Sequence, residues 1–209
     1  MNDYLLEMRA ITKNYPGVVA LDKVRLAVRP GEVHCLVGEN GAGKSTLMKV
    51  LAGAIAKDSG QILLDGNEVA YSTPQQAARL GISMIHQEFN LVSQMTVAEN
   101  IYLGHAPRRH GIMQWANLYE NARCALAQLN SDLDPRRPVS SLSLAQQQVV
   151  EVAKALSINA RILIMDEPSS TLTDHELETL FTLVKSLYRQ VRAVIYISHR
   201  LEEIFELCR

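Results

Sequence analysis

A nine-residue glycine-rich stretch, GENGAGKST at positions 38–46, constrains this chain more than any other feature of its sequence. Its spacing is G-x-x-x-x-G-K-[ST], in which glycines let the backbone turn tightly and bring successive N–H groups onto phosphate oxygens. The apolar stretch VHCLV precedes it, and the apolar-periodic stretch KSTLMKVLAGAIA follows. A strand, a loop and a helix N-terminus in this order form an anion site, so we favour a phosphate loop over a glycine turn that merely caps a helix.

The polar side chains of this loop predict how a nucleotide is held. Lys44 is expected to reach the β- and γ-phosphates, and the Ser45 hydroxyl to ligate Mg²⁺. The predicted phosphate-binding residues are Gly38, Glu39, Asn40, Gly41, Ala42, Gly43, Lys44, Ser45 and Thr46. The loop alone leaves the reaction open, because kinases, GTPases and motor ATPases all use one.

The order of apolar segments predicts an α/β fold. Short buried strands, EVHCLVG among them, alternate with amphipathic helices, a pattern typical of a mainly parallel sheet flanked by helices, here a P-loop NTPase core. YLLEMRAITKNY and VALDKVRLAV alternate less regularly and predict an N-terminal antiparallel β subdomain. Residues 91–159 are mostly helical, with APRRHG as a loop, and predict an inserted helical subdomain; residues 1–90 and 160–209 form the core.

Four polar residues follow predicted core strands. Asp166 and Glu167 end the strand RILIM, His199 follows AVIYIS, and Gln87 follows ISMIH. We expect Asp166 and Gln87 to hold Mg²⁺, Glu167 to polarise a water against the γ-phosphate, and His199 to bind that phosphate and orient the water. Each residue alone is common at a surface. Their shared position is informative, because α/β sheets bind ligands at the carboxyl ends of their strands.

Composition excludes several classes of protein. The 209 residues carry a formal net charge of −1, so the chain lacks the excess of positive charge that is typical of proteins binding nucleic acid or an anionic membrane. No uncharged apolar run is long enough to span a bilayer. The cysteines, Cys35, Cys124 and Cys208, lie far apart, so neither a disulfide framework nor a zinc site is expected.

Taken together, the motifs resemble those of the ATP-binding cassette (ABC) ATPases, the motor domains of ABC transporters. The resemblance covers nearly the whole chain and rests on order: Tyr15, the phosphate loop, Gln87, the segment LSLAQQQVVEVAKAL, Asp166–Glu167 and His199. LSLAQQQVVEVAKAL and DEPSSTLTDHE are most similar to the branch that imports ribose, galactose and similar sugars.

The resemblance implies ATP and Mg²⁺ as cofactors, and further residue roles. Tyr15 would stack on adenine. A signature made of Ser143, Leu144, Ala145 and Gln146 would face the γ-phosphate held by a second cassette. ATP would then lie between two cassettes and hold them together as a dimer. Ser143-x-x-Gln146 also fits a capping box, so the same residues are expected to start a helix.

The resemblance also implies partners and a location. The second cassette would be in the same full-length polypeptide or in a homodimer. Membrane permease subunits would contact residues 87–95, a periplasmic or extracellular sugar-binding protein would act indirectly, and nucleic acid would not bind. The chain would lie peripherally on the cytoplasmic face of the membrane.

Three features depart from the family pattern. Leu144 and Ala145 replace two glycines, and Thr173 stands where many members carry aspartate. The chain stops at Arg209, ten residues beyond His199, where the family continues, so the resemblance predicts a single cassette that is truncated at its C-terminus.

Other functions remain open. The chain could be a nucleotide-dependent interaction module with little turnover, or a soluble ABC ATPase. A GTPase is disfavoured because no Asn-Lys-x-Asp element is present. A small-molecule kinase would have no use for the signature segment.

Overall fold

The computed structural model of this chain describes residues 3–39, 41–86, 90–169, 172–187 and 193–207. The strands are β1 Leu6–Tyr15, β2 Val18–Val28, β3 Glu32–Val37, β4 Ser59–Leu64, β5 Asn67–Glu68, β6 Ile82–Ile85, β7 Arg108–Arg109, β8 Ile112–Met113, β9 Ile162–Asp166 and β10 Ala193–Ser198. The helices are α1 Lys44–Leu51, α2 Pro74–Arg79, α3 Val97–Ile101, α4 Trp115–Gln128, α5 Leu144–Ser157, α6 Asp174–Leu187 and α7 Leu201–Leu207.

Two sheets carry the fold, and both match the predicted class. The N-terminal sheet has the order β2-β1-β4-β5, with antiparallel neighbours. The second sheet has the order β3-β10-β9-β6, and every neighbouring pair in it is parallel. The predicted antiparallel N-terminal part and the parallel core are therefore both present.

The parallel sheet separates two hydrophobic cores. On β9, Leu163 and Met165 pack with α3, α4, α5 and α6, whereas Ile162 and Ile164 pack with α1 and the antiparallel sheet. Because successive side chains of a strand point to opposite faces, a strand covered on both faces must be apolar at every position. The sequences of β9 and β10 meet this requirement up to their last residues, Asp166 and Ser198, which lie at the edge of the sheet.

Strand β3 differs from the prediction that it is buried on both faces. Its residues are half-buried or exposed. The reason is its place at one end of the described parallel sheet, next to β10 alone.

The helical segment between β6 and β9, and the chain before it, have two features that sequence patterns did not predict. APRRHG, predicted as a loop, instead contains β7 and the turn of a two-stranded hairpin, whose second strand β8 follows it directly. Helix α2 lies before β6 and was not predicted, although its start carries two signals: Thr73 accepts a hydrogen bond from the Gln76 amide, and Pro74 occupies the first turn.

In the part of the chain that the structure describes, no helix is both long enough and apolar enough to cross a membrane.

The close approach of β4 to β1 predicts that Gly60→Ala destabilises the fold. Gly60 has φ of +96°, and a Cβ there would lie 2.5 Å from the Ala10 carbonyl oxygen. Gly31, at φ +75°, has open space around it, so Gly31→Ala costs only the strain of the left-handed backbone, about 1–2 kcal/mol. We expect the loss in free energy of unfolding for Gly60→Ala to exceed that for Gly31→Ala by about 1–3 kcal/mol in urea titrations. Equal losses would contradict the clash.

Candidate nucleotide-binding site

The predicted site residues converge at one edge of the parallel sheet. Gly38 follows β3, Asp166 ends β9 and His199 follows β10, and these strands run parallel. Their carboxyl ends therefore meet at the edge where such sheets bind ligands. Asn40 and Gln87 lie outside the described residues.

The turn into α1 requires glycine at position 43. Gly43 has φ of 84° and caps α1, whose first backbone hydrogen bond runs from the Leu47 amide to the Gly43 carbonyl at 2.9 Å. A Cβ on Gly43 would lie 2.7 Å from the Ala20 carbonyl oxygen. The loop therefore rests directly on β2, and the helix N-terminus beyond it carries no acidic residue in its first turn. Free amide groups and the helix dipole suit this turn to an anion.

Lys44 spans the inside of the loop. Its ammonium donates to the Gly38 carbonyl at 2.6 Å and to the Glu39 carbonyl at 2.9 Å, and the residue is only 9% exposed. A buried ammonium needs hydrogen-bond acceptors, and the two carbonyls supply them. Both carbonyls are uncharged, so neither of these two contacts gives Lys44 a counterion. A phosphate group entering the loop would supply that counterion.

Ser45 and Asp166 form a pair of oxygen ligands 121 residues apart in sequence. The Ser45 hydroxyl donates to Asp166 Oδ1 at 3.2 Å. Burial raises the pKa of the Asp166 carboxyl and the neighbouring Glu167 charge adds to this, whereas the bond from Ser45 opposes it. Hydroxyl and carboxylate oxygens are the ligands that Mg²⁺ prefers, and a cation would relieve the cost of burying this carboxylate. The pair therefore fits the predicted metal.

Glu167 is held in an unusual backbone conformation beside His199. Its φ is 48°, in the left-handed region, and Pro168 follows it, which disfavours helical backbone in the preceding residue. Its amide donates to the Ile197 carbonyl at 3.1 Å. Its Oε1 lies 3.5 Å from His199 Nδ1, so the predicted base and the predicted phosphate ligand are neighbours. Strain of this kind persists only where surrounding contacts fix it, and it clusters at functional sites.

Tyr15 lies at the end of β1 and is 41% exposed. It pairs with Val18 of β2, two residues before Ala20, whose carbonyl lies against Gly43. The ring is thus carried by the strand pair that also supports the phosphate loop. The ammonium of Lys13 lies 5.6 Å from the ring centroid, a cation–π contact that sequence reasoning missed.

The signature segment is the exposed start of α5. Ser143 is its N-cap, and its hydroxyl accepts from the Gln146 amide at 3.3 Å while Gln146 Oε1 accepts from the Ser143 amide at 3.2 Å. The predicted capping box is therefore confirmed. No hydrogen bond or ion pair of the described residues joins this helix start to the phosphate loop of the same chain.

Further along α5, two charged residues form hydrogen bonds with the backbone of Asn90. Glu151 Oε1 accepts from the Asn90 amide at 2.9 Å, and the Lys154 ammonium donates to the Asn90 carbonyl at 3.2 Å. Glu151 is buried, and sequence reasoning missed both residues. The available signal was a charged pair at i, i+3, with Glu151 interrupting the apolar face of α5.

Comparison with known proteins shows which family of sequences this chain matches. The sequence profile of the family described as ABC transporter matches residues 21–170. The chain is 49% identical over 206 residues to the galactose/methyl galactoside import ATP-binding protein MglA of Salmonella typhimurium, covering 99% of this chain and 41% of that protein. It is 53% identical to the ribose import ATP-binding protein RbsA 1 of Rubrobacter xylanophilus, covering 97% of this chain and 41% of that protein. The chain thus spans about two fifths of the length of these relatives.

Among solved structures, the fold is similar to a nucleotide-free ATP-binding cassette from an ABC transporter. The TM-score is 0.84 at 26% sequence identity, and the alignment covers 98% of this chain and 85% of that one.

The buried carboxyl of Glu151 predicts a pH-dependent effect of Glu151→Gln. Burial raises its pKa above 4.5, against smaller opposing contributions from Lys154, the Asn90 amide and His86. The Glu151 carboxyl therefore binds a proton more tightly in the folded state than in the unfolded state. Protonated Glu151 contributes to stability at low pH, and this contribution is lost as pH rises through the raised pKa. In the variant, the glutamine side chain can still accept a hydrogen bond from the Asn90 amide without carrying a charge.

We expect the free energy of unfolding of the wild-type protein, relative to Glu151→Gln, to fall as pH rises above about 4.5 in urea titrations. The control is Glu120→Gln, because the Glu120–Arg123 pair on α4 is exposed and such pairs contribute at most about 1 kcal/mol. A difference that rises with pH for Glu151→Gln would contradict the sign.

Proposed function

This chain belongs to the ABC transporter family, and we propose that it is the ATP-binding and ATP-hydrolysing part of an importer for a monosaccharide. The observation that carries the proposal is the meeting of the phosphate loop, the Ser45–Asp166 pair and the Glu167–His199 pair at one sheet edge. A phosphate cradle, a cation site and a candidate base at one sheet edge are what hydrolysis of a nucleoside triphosphate requires.

The chain's own residues bind and orient ATP as the substrate. Backbone amides of positions 38–46 and the Lys44 ammonium hold the triphosphate, and the exposed Tyr15 ring offers a flat surface for adenine. Ser45 and Asp166, together with Gln87, would hold Mg²⁺. When bound, the cation neutralises charge on the phosphate oxygens.

Glu167 and His199 act on the water and the γ-phosphate. Glu167 accepts a hydrogen bond from the water, whose oxygen attacks the γ-phosphorus as the bond to the β–γ bridging oxygen breaks, giving ADP and inorganic phosphate. His199 donates to a γ-phosphate oxygen and orients the water. The 3.5 Å separation of the two side chains allows them to act on the same reacting group.

The signature segment acts on a different nucleotide. The N-terminus of α5 is exposed and, among the described contacts, is not joined to the phosphate loop of its own chain, which supports its use by a second cassette, either in the same full-length polypeptide or in a homodimer. Binding of ATP between two cassettes would draw them together, and hydrolysis would release them. This cycle converts binding free energy into a rigid-body motion.

The sugar and the remaining partners are inferred from the relatives, which are named as import ATP-binding proteins for galactose, methyl galactoside and ribose. We therefore propose permease subunits in the membrane as direct partners and an extracytoplasmic sugar-binding protein as an indirect one. The chain would lie on the cytoplasmic face of the membrane, and its net charge of −1 does not favour nucleic acid.

A second candidate is a nucleotide-dependent interaction module with little turnover. The observation that favours it is Leu144, whose exposed side chain stands at the first position of α5, where a glycine would leave the amide groups open. This candidate predicts ATP-dependent association without phosphate release, so measurement of turnover separates the two.

The position of Glu167 predicts that Glu167→Gln keeps ATP binding and loses hydrolysis. The amide of glutamine preserves the shape but cannot accept the water's proton, so we expect turnover to fall by about 10²–10⁴-fold, with a stable ATP-bound dimer in gel filtration. Glu202→Gln, on the exposed part of α7, is the matched control and should leave turnover unchanged. Normal turnover in Glu167→Gln would remove Glu167 from the role of base.

The capping boxes of α5 and α3 allow a matched test of the signature. Ser143 and Thr96 both accept from the amide three residues on at 3.3 Å, so Ser143→Ala and Thr96→Ala each lose about 1 kcal/mol of helix capping. In a Glu167→Gln background, only Ser143→Ala should weaken the ATP-dependent dimer, by about tenfold or more, because it also loses a hydrogen bond to phosphate. Equal dimer affinities in the two variants would assign Ser143 a capping role only.

A further inference from the structure

Three consecutive glutamines at the start of α5 make three different contacts. Gln146 closes the capping box with Ser143, and Gln147 Nε2 donates to the Leu142 carbonyl at 3.2 Å, back along the chain. Gln148 instead leaves its own helix: its Nε2 donates to the Pro168 carbonyl at 3.0 Å, and the residue is 3% exposed. A buried side-chain amide that reaches another element is costly to leave unpaired, so this bond fixes the distance between α5 and that carbonyl.

Pro168 directly follows Glu167, the proposed base. Glu167 lies in the left-handed region at φ 48°, and a residue before proline otherwise prefers extended backbone. Two hydrogen bonds flank this strained residue. Its own amide donates to the Ile197 carbonyl on β10, and the carbonyl of the following residue, Pro168, accepts from Gln148. Holding a residue in such a region costs on the order of 1–3 kcal/mol, so it needs restraints of this kind on each side.

The turn beyond Pro168 is also fixed. Ser169 is buried and hydrogen-bonds with the Tyr196 side chain, whose hydroxyl donates to the buried Glu203 carboxylate at 3.1 Å. Tyr196 lies on β10, the strand that leads to His199. The contacts of Ile197 and Tyr196 thus come from the core strand, whereas the contact of Gln148 comes from the helix that carries the signature.

We propose that Gln148 is a positioning residue for ATP hydrolysis, which holds Glu167 in its left-handed conformation through the Pro168 carbonyl. This inference rests on the proposed function of Glu167. It makes the geometry of the base depend on the position of α5, because Gln148 lies on the same helix as the Ser143 cap, about one turn further along. A shift of α5 when Ser143 meets a partner's nucleotide is transmitted to Glu167 through one buried hydrogen bond.

The test compares the variants Gln148→Met and Gln147→Met, each made in the full 209-residue chain. Methionine matches the length of glutamine and removes both the bond to Pro168 and a buried Oε1 that has no partner among the described residues, so the fold should be retained. Gln147→Met is the control, because it removes a local contact on the same helix.

Two readouts decide the result. In ¹³C NMR spectra, the Cα and carbonyl shifts of Glu167 and Pro168 should move toward extended values in Gln148→Met and stay in place in Gln147→Met. In ATP turnover, kcat should fall by about 10–100-fold in Gln148→Met with KM unchanged, because the base is displaced while the phosphate loop is intact. Unmoved shifts in Gln148→Met would overturn the inference, and so would an unchanged kcat in Gln148→Met when the wild-type protein turns over.

Gln148→Glu gives a second variant with a pH signature. A protonated carboxyl can donate to the Pro168 carbonyl and an ionised one cannot. The Glu167 shifts of Gln148→Glu should therefore match the wild-type protein at low pH and depart from it at high pH, and pH-independent shifts would overturn the inference. Absence of turnover in the wild-type protein would contradict the proposed function, while the NMR comparison would still decide the role of Gln148.

Discussion

The parallel pairing of β3, β10, β9 and β6 is the constraint on which the other features depend. It aligns four strand ends at one edge, so that Ser45 after the phosphate loop meets Asp166 from a strand 121 residues later, and Glu167 meets His199. Parallel strands need long crossover connections, and these connections supply the helices that cover the two faces of the sheet. The chemistry at the edge and the two hydrophobic cores are thus consequences of one pairing pattern.

Helix α5 links that edge to the rest of the helical segment through polar side chains, of which Gln148 and Glu151 are buried. Gln148 reaches Pro168, and Glu151 and Lys154 hold both polar backbone groups of Asn90. Such groups are expensive to bury without partners, so each bond ties α5 to a separate part of the chain. The helix therefore connects an exposed N-terminus, suited to a partner's phosphate, with the strand end that carries the proposed base.

Several parts of the fold follow directly from local patterns. The glycine spacing of the phosphate loop, the uninterrupted apolar runs of β9 and β10 and the capping box of Ser143 are local signals, and the structure agrees with each. Burial of β3 was predicted wrongly, because its apolar sequence does not reveal that it ends the described sheet. The proline and glycine of APRRHG predict a connection but do not reveal that the residues around its turn pair as β7 and β8.

The sequence by itself determined the glycine-rich loop between β3 and α1, the class of fold and the residues that follow each core strand, because these depend on spacing, periodicity and glycine conformation over a few residues. Only the tertiary structure decided which of three adjacent glutamines is buried against Pro168 and that Glu167 is held with positive φ. These contacts join residues on separate elements or fix a backbone angle against local preference. No local pattern encodes them, because their free energy comes from neighbours that folding brings together.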